Sequence, residues 1–280
     1  METLPVPAPS AGRGVASLAV LGDSIAVGVG DPLPDGGWRG FGPLLAAALG
    51  APGEVRYTNL SFIGARMGGL RHRQLPGALV ARPDVAVILA GMNDTLRSDF
   101  DPLALREDLD IAVTALQASG AVVLTTRFHE HGRVFRLPGP LRRVLHRRVG
   151  QLNDATEQVV ARRGALCLDL HLMSGAYEPA AWSVDRLHPS ERGHRMLAGG
   201  FAALLAGAGI AVPHPVELTC SGGRQLTAAH HVAWLLCYGV PWLGRRGGDL
   251  VPHAVALVLR DLLGRPAAVP SRCVQSRRPV

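Results

Sequence analysis

The sequence predicts an α/β protein built on a parallel sheet of five strands with helices on both faces. Three observations lead there. Five short apolar runs recur: VASLAVL (15–21), EVRYTNL (54–60), DVAVILA (84–90), AVVLTT (121–126) and ALCLDL (165–170). They are largely continuous rather than alternating, as strands covered on both faces are. Segments of helical period separate them, so strand and helix alternate over residues 15–208, the pattern of a parallel sheet with helical crossovers. At 280 residues, 48% of them hydrophobic, the chain can bury a large core.

Taken in order, METLPVPAPSAGRG (1–14) has neither a basic start nor an apolar h-region, so it reads as a flexible lead and not a secretory signal. A cytoplasmic protein is the expectation. After the first strand and Gly22-Asp23-Ser24, FGPLLAAALG (41–50) reads as a helix. DPLALREDLDIAVTALQASG (101–120) is another, with Asp101 as N-cap, Pro102 in the first turn and Gly120 as the stop. PLRRVLHRRVGQLNDATEQVVARRG (140–164) follows the fourth strand. MLAGGFAALLAGAGIAV (196–212) approaches a membrane span in length and carries no charge. It is rich in Ala and Gly and follows SERGHR, so it reads as a buried helix. Pro213 and Pro215 then bound a domain at 15–210. Two short helices, TAAHHVAWLLCYGVPWLG and VPHAVALVLRDLLG, are expected in an extension over 211–265, docked through Trp234, Trp242 and Leu243. Residues 266–280, rich in Pro and Arg, read as a disordered tail.

Composition excludes several classes. The net charge is +7, but all 29 basic residues are Arg and they are scattered among acids, which argues against nucleic-acid binding. Membrane-surface association through the Arg-rich tail is not favoured. Cys167, Cys220, Cys237 and Cys273 form no C-x-x-C pair, so neither a zinc nor a redox motif is present, and Cys167 reads as a small core residue. Phe128-His129-Glu130-His131 lacks a third ligand at metal spacing and reads as a solvated loop or a substrate-facing edge. No P-loop occurs, and GVGDPLPDGG is not a dinucleotide fingerprint.

In parallel sheets the reactive loops gather at the carboxyl ends of the strands. That rule selects Gly22-Asp23-Ser24 after the first strand, and Asn59, Ser61 and Gly64 after the second. It adds Gly91, Asn93 and Asp94 after the third, and the loop to Asp185 and His188 after the fifth. In DRLHPS (185–190), Asp185 is close enough in the chain to accept the Nδ1–H of His188. Nε2 is then left as a base for the Ser24 hydroxyl. Ser190 can cap the next helix, with Glu191 in its first turn. The Asn93 amide and the backbone N–H groups of Ser24 and Gly64 are candidate donors to an oxyanion. Taken singly, each has a plainer reading: Ser24 as an N-cap, D-x-x-H as a surface turn, the glycines as turn residues.

Together these blocks, Gly22-Asp23-Ser24 with Gly28, Gly64 in NLSFIG, GMND and DRLH, resemble the SGNH hydrolase family of GDSL-type esterases and lipases. GDPLPDGGWRGFGPLL and HHVAWLLCYGVPWLGRR further resemble its intracellular actinobacterial branch. Ile25 stands where the family name expects Leu. The resemblance implies a three-layer α/β/α, flavodoxin-like fold and no cofactor. It implies hydrolysis of a small-molecule ester through an acyl-serine, with Ser24, Asp185 and His188 catalytic and Ser24, Gly64 and Asn93 forming the oxyanion hole. The same residues would serve an acyltransferase, a deacetylase of a sugar or natural product, or a thioesterase. A non-catalytic binding protein on this fold is a further alternative. The motifs leave the acyl and alcohol groups, and the oligomeric state, open.

Overall fold

A computed structural model describes residues 12–34, 36–134 and 139–221, with positions 255, 259 and 263. Apart from those three positions, the two helices expected in the extension lie outside the described residues, as do the docking residues Trp234, Trp242 and Leu243, Cys237, Cys273 and the 266–280 tail.

The five strands are β1 (Ser17–Gly22), β2 (Arg56–Asn59), β3 (Val85–Leu89), β4 (Val122–Arg127) and β5 (Leu166–Asp169), all parallel in the order β2-β1-β3-β4-β5. Every residue of β1 and β3 is buried, which is why these runs are apolar apart from Ser17 at the start of β1. β2, reading RYTN, is an edge strand and half-exposed. The helices are α1 (Ser24–Val27), α2 (Phe41–Leu49), α3 (Met67–Gly69), α4 (Leu75–Ala81), α5 (Met92–Thr95), α6 (Pro102–Ala118), α7 (His131–Val134), α8 (Gly139–Arg163) and α9 (Glu191–Gly207). A π-helical turn, Leu70–Gln74, joins α3 to α4. Asp101 caps α6 through Leu103 N–H and Ala104 N–H, and Gly120 turns the chain out at φ +97°.

The helices α2 and α9 pack on each other in one layer, and α4, α6 and α8 form the other. Phe41 of α2 and Phe201 of α9 meet with ring centroids 5.3 Å apart, both fully buried. Leu18, Leu21, Ile88, Leu89 and Leu124 fill the sheet faces. Each such side chain contributes about 1.5–3 kcal/mol by leaving water. The apolar 196–212 run lies mostly within α9, and among the described residues no helix is long and apolar enough to cross a membrane.

Residue Arg13 lies beside the end of α9, donating to Gly209 O and accepting from Ala211 N–H. Residues 211–221 run without regular secondary structure, since Pro213 and Pro215 remove donors. Val212 and Val216 nonetheless pack on the core.

This strand order carries the functional consequence. The chain moves outward from β1 to β2, then back across β1 to β3, so β1 and β3 are hydrogen-bonded neighbours whose connections diverge. The crevice at their carboxyl ends is the topological switch point, where open α/β sheets place their ligands. Asp23 and Ser24 follow β1 there, and Gly91 to Asp94 follow β3.

Candidate active site

Gly22 ends β1 with φ +154°, a conformation in which a Cβ would overlap the Leu89 carbonyl oxygen. Buried Gln74 holds this glycine from both sides. It accepts from Gly22 N–H at 2.7 Å and donates to Gly22 O at 2.9 Å. Asp23, donating its N–H to Leu89 O, is the N-cap of α1, its Oδ1 accepting from Ile25 N–H at 3.0 Å. The capping role thus falls on Asp23, and Ser24 becomes the first helical residue with its hydroxyl free. That hydroxyl lies 2.8 Å from His188 Nε2.

The histidine is held by a short, heavily bonded loop. Ser183 N–H donates to His188 O at 2.8 Å and Arg186 N–H to Ser183 O at 3.0 Å, while Arg186 itself takes φ +57°. Asp185 Oδ1 accepts from Leu187 N–H at 2.9 Å and His188 N–H at 3.0 Å; its Oδ2 accepts His188 Nδ1–H at 2.6 Å. Burial pushes the Asp185 carboxyl up, but the His188 bond and its charge, with the two backbone donors, bring it below the ordinary carboxylate range. Ser190 caps α9 through Gly193 N–H, so the loop ends in a fixed helix entrance.

Gly64 is exposed, with φ +79° and open space where a Cβ would stand. Among the described residues neither Gly64 N–H nor Ser24 N–H has an internal acceptor. Asn93 is different. Its Nδ2 donates to Ala65 O at 3.1 Å and, more loosely, to Asp23 Oδ2 at 3.4 Å. Asp94 ties this residue's helix to the Gly64 loop by accepting from Met67 N–H at 3.0 Å and Arg66 Nε at 3.2 Å. Buried Asp23 is pushed up to about 7, mainly by burial, against the Ile25 N–H bond and the His188 charge.

One sequence expectation is corrected. Phe128, His129 and His131 are buried, not solvated: His131 Nδ1 and His129 Nε2 share a hydrogen bond at 3.1 Å, and both rings pack against Trp182. Burial pushes His129 down to about 3 and His131 to about 4, so both are neutral at pH 7. Gln74 was also not anticipated, nor was the contact of Asp31 and Glu191 with Arg39, described below. Asp31 and Arg39 both lie in GDPLPDGGWRG, where an acid eight residues before an arginine was the available signal. Among the described residues no group of three or more His, Cys, Asp or Glu could hold a metal ion. A cavity of about 260 Å³ lies beside α6, lined by Arg66, Asp94, Asp99, Asp101 and Asp108 among others. Ser24 and His188 are not part of its wall, and Arg66 pairs with Asp94 and Asp99 across it.

Fold and geometry together define a doubly wound α/β protein with a serine, histidine and aspartate in hydrogen-bonded series at its switch point. The sequence profile of the GDSL-like lipase/acylhydrolase family matches residues 20–196, and the chain belongs to that family. GDSL-like esterase Rv1075c of Mycobacterium tuberculosis is 30% identical over an alignment 194 residues long that covers 65% of this chain and 59% of that protein. The chain therefore spans less than two thirds of that relative. Among solved structures, LAE5, an alpha/beta hydrolase enzyme from the metagenome of Lake Arreo, has a TM-score of 0.56 at 22% identity, over 70% of this chain and 96% of its own. TesA has a TM-score of 0.53 at 26% identity, over 68% and 97%. A variant of an acetyl xylan esterase from Geobacillus stearothermophilus has 0.55 at 22%, over 69% and 95%. These likenesses concern the fold.

Proposed function

We propose that the protein is a serine esterase that cleaves a small-molecule acyl or acetyl ester through an acyl-serine intermediate. The observation that carries this reading is the continuous relay from Ser24 Oγ to His188 Nε2 at 2.8 Å and from His188 Nδ1 to Asp185 Oδ2 at 2.6 Å. Membership of a lipase/acylhydrolase family and a relative named as an esterase support the same conclusion.

The chemistry follows from the geometry. With Nδ1–H given to Asp185, Nε2 carries the lone pair and accepts the Ser24 proton as Oγ bonds to the ester carbonyl carbon. The carbonyl oxygen takes the displaced electron pair and becomes an oxyanion. Ser24 N–H and Gly64 N–H, both unengaged, point to its stabilisation. Asn93 adds a third donor by exchanging its long bond to Asp23 for the oxyanion. Each donor is worth about 3 kcal/mol of barrier. Imidazolium Nε2–H then protonates the leaving alcohol as the carbon–oxygen bond breaks. Water, deprotonated by the same nitrogen, releases the acid and restores Ser24. Asp185 stays ionised throughout, fixing the tautomer and stabilising the imidazolium.

Labelling by a fluorophosphonate probe tests this reading. Wild type should become labelled with loss of esterase activity, and Ser24→Ala should take up none. Equal labelling of both proteins would remove Ser24 as the nucleophile.

A further inference from the structure

Ser24 and His188 are 164 positions apart in the chain and belong to separate elements. Their hydrogen bond tolerates only a few tenths of an ångström, so something must set the separation of the loop after α1 from the loop before α9. Three contacts span the two. Gly30 sits against Pro189 so closely that a Cβ would overlap the Pro189 carbonyl oxygen. His194 of α9 donates from Nε2 to Val29 O at 3.0 Å. The third contact is the Arg39 guanidinium. Its Nε reaches Asp31 Oδ2 at 2.9 Å, and its Nη2 reaches Asp31 Oδ1 at 3.0 Å and Glu191 Oε1 at 2.8 Å.

Both carboxylates are well placed to transmit position. Asp31 is 3% exposed and also accepts from Gly40 N–H, while Glu191 is 9% exposed and is the first residue of the helix that follows His188. Ser221 completes the cluster, giving Glu191 Oε1 its N–H and hydroxyl at 2.7 and 2.8 Å and accepting from Arg39 Nη1 at 3.3 Å. Arg195 pairs with the same Glu191 oxygen at 3.0 Å. No hydrogen bond or ion pair joins these groups to Ser24 Oγ or the His188 ring, whose bonds are to each other and to Asp185.

We propose that Arg39 is a positioning residue: by bridging Asp31 on the nucleophile's segment to Glu191 at the head of the histidine's helix, it sets the register of the Ser24 hydroxyl against the His188 imidazole. A planar fork is required, because one nitrogen pair must hold both oxygens of Asp31 while one of the two also reaches Glu191. An ammonium supplies the charge but not that geometry.

This inference rests on the esterase reading for its kinetic arm, so the test carries a second arm that does not. Arg39→Gln and Arg39→Lys are compared with wild type in kcat and KM on nitrophenyl acetate, in thermal midpoint, and in the ¹⁵N and Nδ1–H signals of His188. The expected result for Arg39→Gln is a folded protein with kcat lowered roughly 10- to 100-fold, KM little changed and displaced His188 signals. Arg39→Lys should recover the thermal midpoint but not kcat. If Arg39→Gln does not fold, Glu191→Gln, which leaves the Asp31 pair intact, carries the same expectation. Unshifted His188 signals with undiminished kcat in a folded variant would overturn the proposal, as would recovery of kcat and stability together in Arg39→Lys. A wild type unlabelled at Ser24 would instead defeat the esterase reading, leaving the histidine signals to decide the role of Arg39.

Discussion

Asp185 shows how much of the site's order a single side chain supplies. One oxygen fixes the backbone of Leu187 and His188, and the other fixes the imidazole tautomer. Replacing it by Asn keeps the shape but offers an N–H or a weaker acceptor toward Nδ1, favouring the wrong tautomer. Asp185→Asn should therefore lower kcat by about 10⁴ with KM little altered, as steady-state kinetics on a nitrophenyl ester will show. Asn93 acts in the same step, on the oxyanion rather than on the base. Its amide is turned toward Ala65 O and Asp23 at rest, so Asn93→Ala should leave substrate binding near normal while kcat falls about 10²–10³-fold. A fall in affinity at constant kcat would assign Asn93 to ground-state binding instead.

The elements explain which parts of this arrangement were legible in the sequence. β1 and β3 announce themselves because both faces are covered and, apart from Ser17 at the start of β1, no polar residue interrupts them. β2, an edge strand, keeps only Arg56–Asn59 of the EVRYTNL run. The loops bearing Ser24, Gly64, Asn93 and His188 were found from their positions after strands. Long-range partners were not. Gln74 meets Gly22 from 52 positions away, and Trp182 covers His129 from an element with no local signature. The sequence offers Asn93 as a donor to an oxyanion, but its resting bonds depend on Ala65 and Asp23, which only the packed fold brings near. Glycine at 30 belongs to the same class. Gly30→Ala would place a Cβ against Pro189 at φ +103°. It should destabilise the protein by about 3 kcal/mol or more, seen as a lower urea midpoint with unchanged slope. A midpoint equal to wild type would show that the two loops are not in contact.

At the scale of the whole molecule, buried ionisable groups set the dependence of stability on pH. His129 and His131 are lowered to about 3 and 4 by burial, and His194, likewise buried, is lowered too. In the unfolded chain such imidazoles titrate near 6.5. Between those values the unfolded state binds more protons, so their contribution is complete above about pH 6.5 and is lost as pH falls toward 4. Asp23 opposes them: raised to about 7, it contributes fully below about pH 4 and loses that contribution as pH rises through 7. Three imidazoles outweigh one carboxyl. The urea midpoint should therefore drop between pH 7 and pH 5, and Asp23→Asn should steepen that drop by removing the opposing group. A midpoint that rises on acidification would contradict the burial of these rings.

The most direct test of the account is to catch the covalent intermediate. Wild type quenched in acid during turnover of a nitrophenyl ester should yield one peptide, that containing Ser24, heavier by the acyl group, and Ser24→Ala should yield none and turn over no substrate. Turnover that persists in Ser24→Ala, or an acyl group found on another residue of wild type, would contradict it.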